Sequence, residues 1–338
     1  MSQSRWAGLV VVLGLAGALA GVVPDAVSAV AGRTRCRVTA VVVNVDSESV
    51  STIDVKTRTK DPDDIAVGAF PVSLAVTPDG KTVFVTNVSS DSVSMIDIKS
   101  RTKQPDIALG LSPAGLAVTP DGKTVFVANY GSNTVSMIDV KTKTKDVTGI
   151  SVGSGPMGLA LTPDGRTALT ANYGSNTVSM IDVKTKKKDA TDISVGSGPG
   201  GVTITPHGKT AFVTNNSSGT VSTIDMKTRT KDPTDIPVGR LPAVVAFTPD
   251  SKTAFIANQA SDSVSTIDVK TRTKNPTDIA VGSNPFGVAV TPDGKTAFVT
   301  NRGSNSVSTI DVGTRTKNPT DIPVGEGPVA VAITPCRR

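Results

Sequence analysis

The chain has 338 residues, a formal net charge of +6, 38% hydrophobic but only 3% aromatic residues, two cysteines and one histidine. One histidine and two cysteines argue against a zinc, haem or copper centre, so no metal and no cofactor is expected. With so few aromatics there are no stacking platforms for single-stranded nucleic acid.

From the N-terminus, Arg5 precedes an apolar run from Ala7 to Val23, followed by Pro24 and the small residues Ala29 and Ala31. That is the layout of a secretory signal peptide over residues 1–31, with an uncleaved membrane anchor as the alternative. The expected location is extracytoplasmic: secreted, periplasmic or attached to the cell envelope. No stable membrane span is expected once the signal is removed.

From Cys36 to Cys336 one unit is written seven times. The aspartate of an "ID" pair marks each copy, at Asp54, Asp97, Asp139, Asp182, Asp225, Asp268 and Asp311. A period of about 43 residues signals a solenoid, a propeller or an array. Each copy carries four short runs rich in Val, Ile and Thr, bounded by Gly, Pro, Asn and Asp, which read as strands A to D. Strand A is small and uncharged, as in "VSLAV" from Val72 and "AVVAF" from Ala243. Strand D is interrupted by Pro237 or Pro323, and proline in a strand belongs at an edge, so D is outer and A inner. The A–B connection "TPDGK" is a tight hairpin with glycine at a left-handed position. Two copies depart from it, with His207 for Asp and Ser251 for Gly. The fold expected is all-β: a seven-bladed propeller of four-stranded antiparallel blades. The chain starts at strand B of its first blade, and the missing strand A arrives as Pro328–Pro335, which closes the ring.

Aligning the copies puts Cys36 and Cys336 at the same turn position on the two ends of the interrupted hairpin. A disulfide between them is the reading taken, in keeping with export; free thiols are the alternative.

The "VFVTN" and "AFVTN" runs, with "TPDGK" before and "VSxIDVKT" after, resemble the YVTN-repeat family of β-propellers over the whole span from Cys36 to Cys336. Phe84, Phe126, Phe212, Phe255 and Phe298 stand where that family has tyrosine, with Leu169 and Val42 in the other two blades. The resemblance implies an exported propeller, and similar propellers include lactonases and redox-enzyme domains. Fold alone does not fix function.

In such a blade the A–B and C–D turns share one face of the disc, and the B–C and D–A loops share the other. The "KTRTK" turns place most of the 35 Lys and Arg on the first face. A charge run repeated in every blade is ordinarily a solvated face; a weak, salt-sensitive contact with polyanions is the alternative. Catalytic groups should break the repeat. His207 does so, but from a turn on the basic face, and strand A offers no acid, base or amide in any copy. The repeated Asn of "VTN" and Asp of "ID" are expected to satisfy backbone groups at strand ends. The remaining variation lies in the B–C and D–A loops, at Tyr130, Tyr173, Arg240, Arg302 and Glu326. Rigidly held loop aromatics suit recognition, so the expectation is a monomeric, non-catalytic scaffold that binds a protein or glycan there. The alternative is an enzyme of the lactonase or lyase kind.

Overall fold

The computed structural model describes residues 37–335. The segment 1–31 and both cysteines, Cys36 and Cys336, lie outside them. The described residues form seven antiparallel blades arranged as a propeller, with strand order A-B-C-D in each. In the second blade the strands are Pro71–Val76, Thr82–Asn87, Ser92–Asp97 and Thr102–Ala108. Each inner strand begins at a proline, the one interior position where a missing N–H costs no ladder bond.

The second and third strands are buried on both faces because every blade is sandwiched between neighbours. The third residue of strand B supplies the bulk: Phe84, Phe126, Phe212, Phe255 and Phe298 are at most 1% exposed, as are Leu169 and, in the first blade, Val41, which the register puts there in place of the expected Val42. Inner strands crowd together around the axis. A Cβ on Gly115 would stand 2.2 Å from the Met157 carbonyl oxygen of the next blade, so only glycine fits there. Ser251 holds the left-handed turn position at φ 57°, a conformation that costs a side chain about 1 kcal/mol.

Ring closure follows the expected path. Strand Pro328–Ile333 pairs with Thr39–Asn44, Ala40 opposite Ile333 and Val42 opposite Val331. Beyond the ladder, Thr334 N–H donates to Thr39 O and Thr39 N–H to Thr334 Oγ1, both at 2.8 Å. The expected Cys36–Cys336 disulfide is corrected to this extent: it falls on residues outside the described span, and no disulfide is present among the described residues. The closure seen is made by a strand and a reciprocal threonine pair.

The outer strand differs from the expectation. The C–D turn is shorter than "KTRTK": the strand already begins at Thr59–Lys60 and resumes at Ile65–Ala66. Four residues, Asp61 to Asp64, lie between these pieces; Asp61 N–H still donates to Thr52 O of strand C at 2.8 Å, and the ladder is interrupted over the three that follow. The second blade has only Gln104, Pro105 and Asp106 there, and its outer strand runs unbroken from Thr102 to Ala108. One deleted residue thus explains why Asp97 and Asp139 are one residue closer than the other markers.

The tip of each C–D turn is a cation in the left-handed region, from Arg58 (φ 58°) to Arg315 (φ 58°). Four of these reach the preceding blade: Arg101 to Asp61 at 2.8 Å, Lys186 to Asp146 at 2.5 Å, Arg229 to Asp189 at 2.6 Å, and Arg272 to Asp232. Six further lysines pair within their own outer strand, as Lys188 does with Asp192 at 2.7 Å. The basic face is therefore extensively internally paired. Exposed pairs of this kind contribute at most about 1 kcal/mol each.

The "ID" aspartates behave as expected. Asp54 Oδ1 accepts the Lys56 and Thr57 N–H groups at 2.9 and 3.0 Å. In all seven copies the N–H three residues on, backed by nearby hydroxyls and lysines, holds the carboxyl below its ordinary value of 3.8. A carboxyl depressed in the folded state contributes stability that is complete above its unfolded pKa and lost as pH falls through the folded one. Melting temperature should hold steady from neutral pH to about pH 5 and fall steeply below pH 3.8. Thermal melts across that range check this; an unchanged melting temperature at pH 3 would show that these bonds carry no net stability.

The "VTN" asparagines correct the expectation made for them. Their side chains do not cap backbone. Asn172 Nδ2 donates to Thr177 Oγ1 and Ser179 Oγ, and Ser179 Oγ–H donates on to Asp192 Oδ1. The same pair of hydroxyl contacts recurs in every blade, from Asn44 to Asn301. The asparagine is covered by the glycine of "VG", where a Cβ on Gly153 would come within 2.4 Å of Asn172 Nδ2.

Candidate functional site

The loop face is built from two left-handed positions per blade. One lies in the B–C loop and the other just before the D–A proline. Where the first is Asp or Asn, its side chain accepts the backbone N–H of the second: Asp91 from Ser112 at 2.7 Å, Asn133 from Gly155 at 2.8 Å, Asn305 from Gly327 at 2.9 Å. Gly219 has no side chain to make such a bond, and its partner position carries the large apolar Leu241, as that of Glu48 carries Phe70.

At three junctions the second position is glycine, and a B–C loop side chain lies on it. Tyr130 Cε2 sits 3.0 Å from where a Gly155 Cβ would be, and Tyr173 Cε2 sits 3.1 Å from that point on Gly198. Both tyrosines are half-buried against the core, and burial, aided by Tyr173, raises the Tyr130 phenol above its ordinary value. Tyr173 Oη also lies 3.5 Å from Ser217 Oγ. These rings pack blade on blade.

The third such junction joins the seventh blade to the first and is charged. The Asp46 carboxylate lies on Gly327, with Oδ2 2.2 Å from the position of a Cβ. Arg302 Nη2 donates to Asp46 Oδ1 at 3.3 Å, with side-chain exposures of 19% for Arg302 and 49% for Asp46. Glu326 adjoins them: its carbonyl accepts the Asp46 and Ser47 N–H groups at 3.2 and 3.3 Å, and its own N–H donates to Ser47 Oγ at 3.1 Å. Glu326 itself is exposed and leads directly into the inner strand at Pro328. The Arg302–Asp46 ion pair thus adjoins the Glu326 backbone on the loop face. Arg240 occupies the Glu326 position two blades earlier and is exposed, its backbone tied to Ser261 and Ala260. Of the five loop residues singled out in the sequence, Arg302 and Glu326 share a neighbour in Asp46, Arg302 through its side chain and Glu326 through its backbone carbonyl. Asp46, an acid where other blades have Ser, Gly or Ala, joins them as the partner of Arg302.

His207 is exposed in the A–B turn of the fifth blade. No group of three or more metal-ligating side chains occurs among the described residues, and no helix there is long and apolar enough to cross a membrane.

The family described as lactonase, 7-bladed β-propeller, matches residues 38–333. The chain belongs to that family. Its likeness to YVTN-repeat proteins stands at the coarser level of the seven-bladed propeller. Among solved structures it is similar to hydrazine synthase of Kuenenia stuttgartiensis, at 25% identity and a TM-score of 0.69, covering 77% of this chain and 88% of that one. It is also similar to a candidate 6-phosphogluconolactonase of Bacteroides fragilis, at 20% identity and a TM-score of 0.76, covering 90% of this chain and 100% of that one. A candidate 6-phosphogluconolactonase of Bacteroides uniformis is similar at 19% identity and a TM-score of 0.75, covering 88% and 100%. No curated protein matches the chain. Membership of a lactonase family overturns the expectation of a non-catalytic scaffold. That expectation rested on the apolar inner strands.

Proposed function

We propose that the protein is a lactone hydrolase whose reacting groups are Arg302, Asp46 and Glu326. The observation that carries this reading is the Arg302–Asp46 contact beside Glu326 at the junction of the seventh and first blades. Family membership supports the reaction class, the opening of a cyclic ester by water.

Glu326 takes a proton from water as the water oxygen bonds to the ring carbonyl carbon. The carbonyl oxygen becomes an oxyanion, which the guanidinium N–H groups that Asp46 leaves free stabilise. The ring C–O bond then breaks, and Glu326 returns the proton to the departing oxygen, giving a hydroxy acid. Asp46 fixes the Arg302 fork and acts as a positioning residue.

The test is turnover of γ- and δ-lactones by the wild type and by Arg302→Met, Glu326→Gln and Asp46→Asn. Loss of the oxyanion donor should lower kcat/KM by about 10²–10³, and loss of the base by about 10²–10⁴. Asp46→Asn should lower it less. An exposed ion pair is worth at most about 1 kcal/mol, so these variants should fold. Wild-type turnover by Arg302→Met would sink the assignment.

A further inference from the structure

The opposite end of the channel holds an apolar cavity of about 140 Å³. Its walls are the last residues of the inner strands, among them Leu161, Ile204, Phe247, Val290 and Ile333, and it reaches the A–B turn prolines. The one polar side chain in its upper wall, Thr203, spends its hydroxyl on the Val245 carbonyl at 3.0 Å. The side chains around it are almost all apolar, and a cavity of about this size accepts a benzene-sized apolar body.

Among the described residues the A–B turns around this cavity are alike except one. In five of them the aspartate Oδ1 accepts the preceding threonine hydroxyl at 2.6 Å. It also accepts the N–H two residues on, at 3.0–3.1 Å. Four of these aspartates also stand 3.5–3.9 Å from the turn's own cation. In the fifth blade the backbone is the same, with Gly208 at φ 71° and its N–H on Thr205 O at 2.7 Å, but His207 replaces the acid. The Thr205 hydroxyl, the Lys209 N–H and the Lys209 ammonium there lack the carboxylate their counterparts have. Ile204 and Pro206, on either side of Thr205, line the cavity.

We propose that this end of the channel binds a medium-chain alkyl carboxylate. The tail, on the order of six to eight carbons for a cavity near the benzene-binding size, enters the apolar cavity. The head group takes the place of the missing turn carboxylate, held by Lys209 and the His207 ring N–H. Burying the tail supplies most of the affinity, at about 0.8 kcal/mol per methylene, and the acid-free turn selects the anion. The site is on the face opposite Arg302 and does not depend on lactone hydrolysis.

Calorimetric titration with octanoate and with octanol tests this on the wild type, His207→Asp and Ala246→Phe, with Ala289→Leu as a second filler should Ala246→Phe misfold. The wild type should bind octanoate at least tenfold more tightly than octanol. His207→Asp restores the acid of the other blades and should weaken octanoate at least tenfold while leaving octanol and lactone turnover unchanged. A filled cavity should weaken both ligands. Absence of octanoate binding, an unaltered affinity in His207→Asp, or an unaltered affinity in both filled variants would overturn the proposal.

Discussion

Deleting residues 328–338 is expected to abolish cooperative folding. The lost strand is the inner strand of the first blade, and it buries Val329, Ala330, Val331 and Ile333 at 5% exposure or less. Burial of its three large aliphatic side chains alone is worth about 1.5–3 kcal/mol each. That sum is comparable to the entire stability of an ordinary domain, about 5–15 kcal/mol. The deletion also strips the ladder from Ala40 to Asn44 and opens the ring, so blades one and seven each lose a packed face. Near-ultraviolet circular dichroism and thermal melts should show no sharp transition. A variant that melts cooperatively at the wild-type temperature would show that the ring needs no closing strand.

Phe212→Ala is expected to be the most destabilising single truncation in the strand B series, costing about 3–5 kcal/mol for the emptied ring site. Phe212 is fully buried, and its ring meets that of Phe247 edge-on, with centroids 5.0 Å apart at 87°. The lost edge contact adds about 0.5–1.5 kcal/mol to the cavity cost. Urea denaturation should therefore rank Phe212→Ala below Phe84→Ala, which removes the same ring without a T-shaped partner. Equal midpoints for the two variants would show that the aromatic pair adds nothing to burial.

The seven blades and their strand order were legible because each strand repeats with its own turn chemistry. A strand A that is small and uncharged in every copy, and prolines in strand D, distinguish inner from outer edge without coordinates. The interruption in strand D was not legible. Asp61 to Asp64 carries the composition of a turn, and only the shorter second copy, Gln104 to Asp106, shows that strand resumes on both sides. The asparagines misled because a single copy resembles a cap; their hydroxyl contacts, two in each of the seven blades, appear only when strand C is laid beside strand B. For the candidate site, the glycines at 155, 198 and 327 were the unread signal. Each marks a junction where a B–C side chain lies on the D–A loop. Tyr130, Tyr173 and Asp46 occupy those three places, and Asp46 alone faces a charge. Contacts between blades join residues far apart in sequence, as Arg302 and Asp46 are, and a period of about 43 residues gives no sign of which copies touch.

The central claim is that this propeller opens lactones at the junction of its first and last blades. Ring opening releases one proton per hydroxy acid formed, so acid release in weakly buffered solution, followed against protein concentration, reports the reaction directly. The account predicts a rate proportional to wild-type protein, saturating with lactone, and reduced about a hundredfold or more in Arg302→Met. Acid release at the uncatalysed rate for γ- and δ-lactones alike, at every concentration of folded wild-type protein, would contradict it.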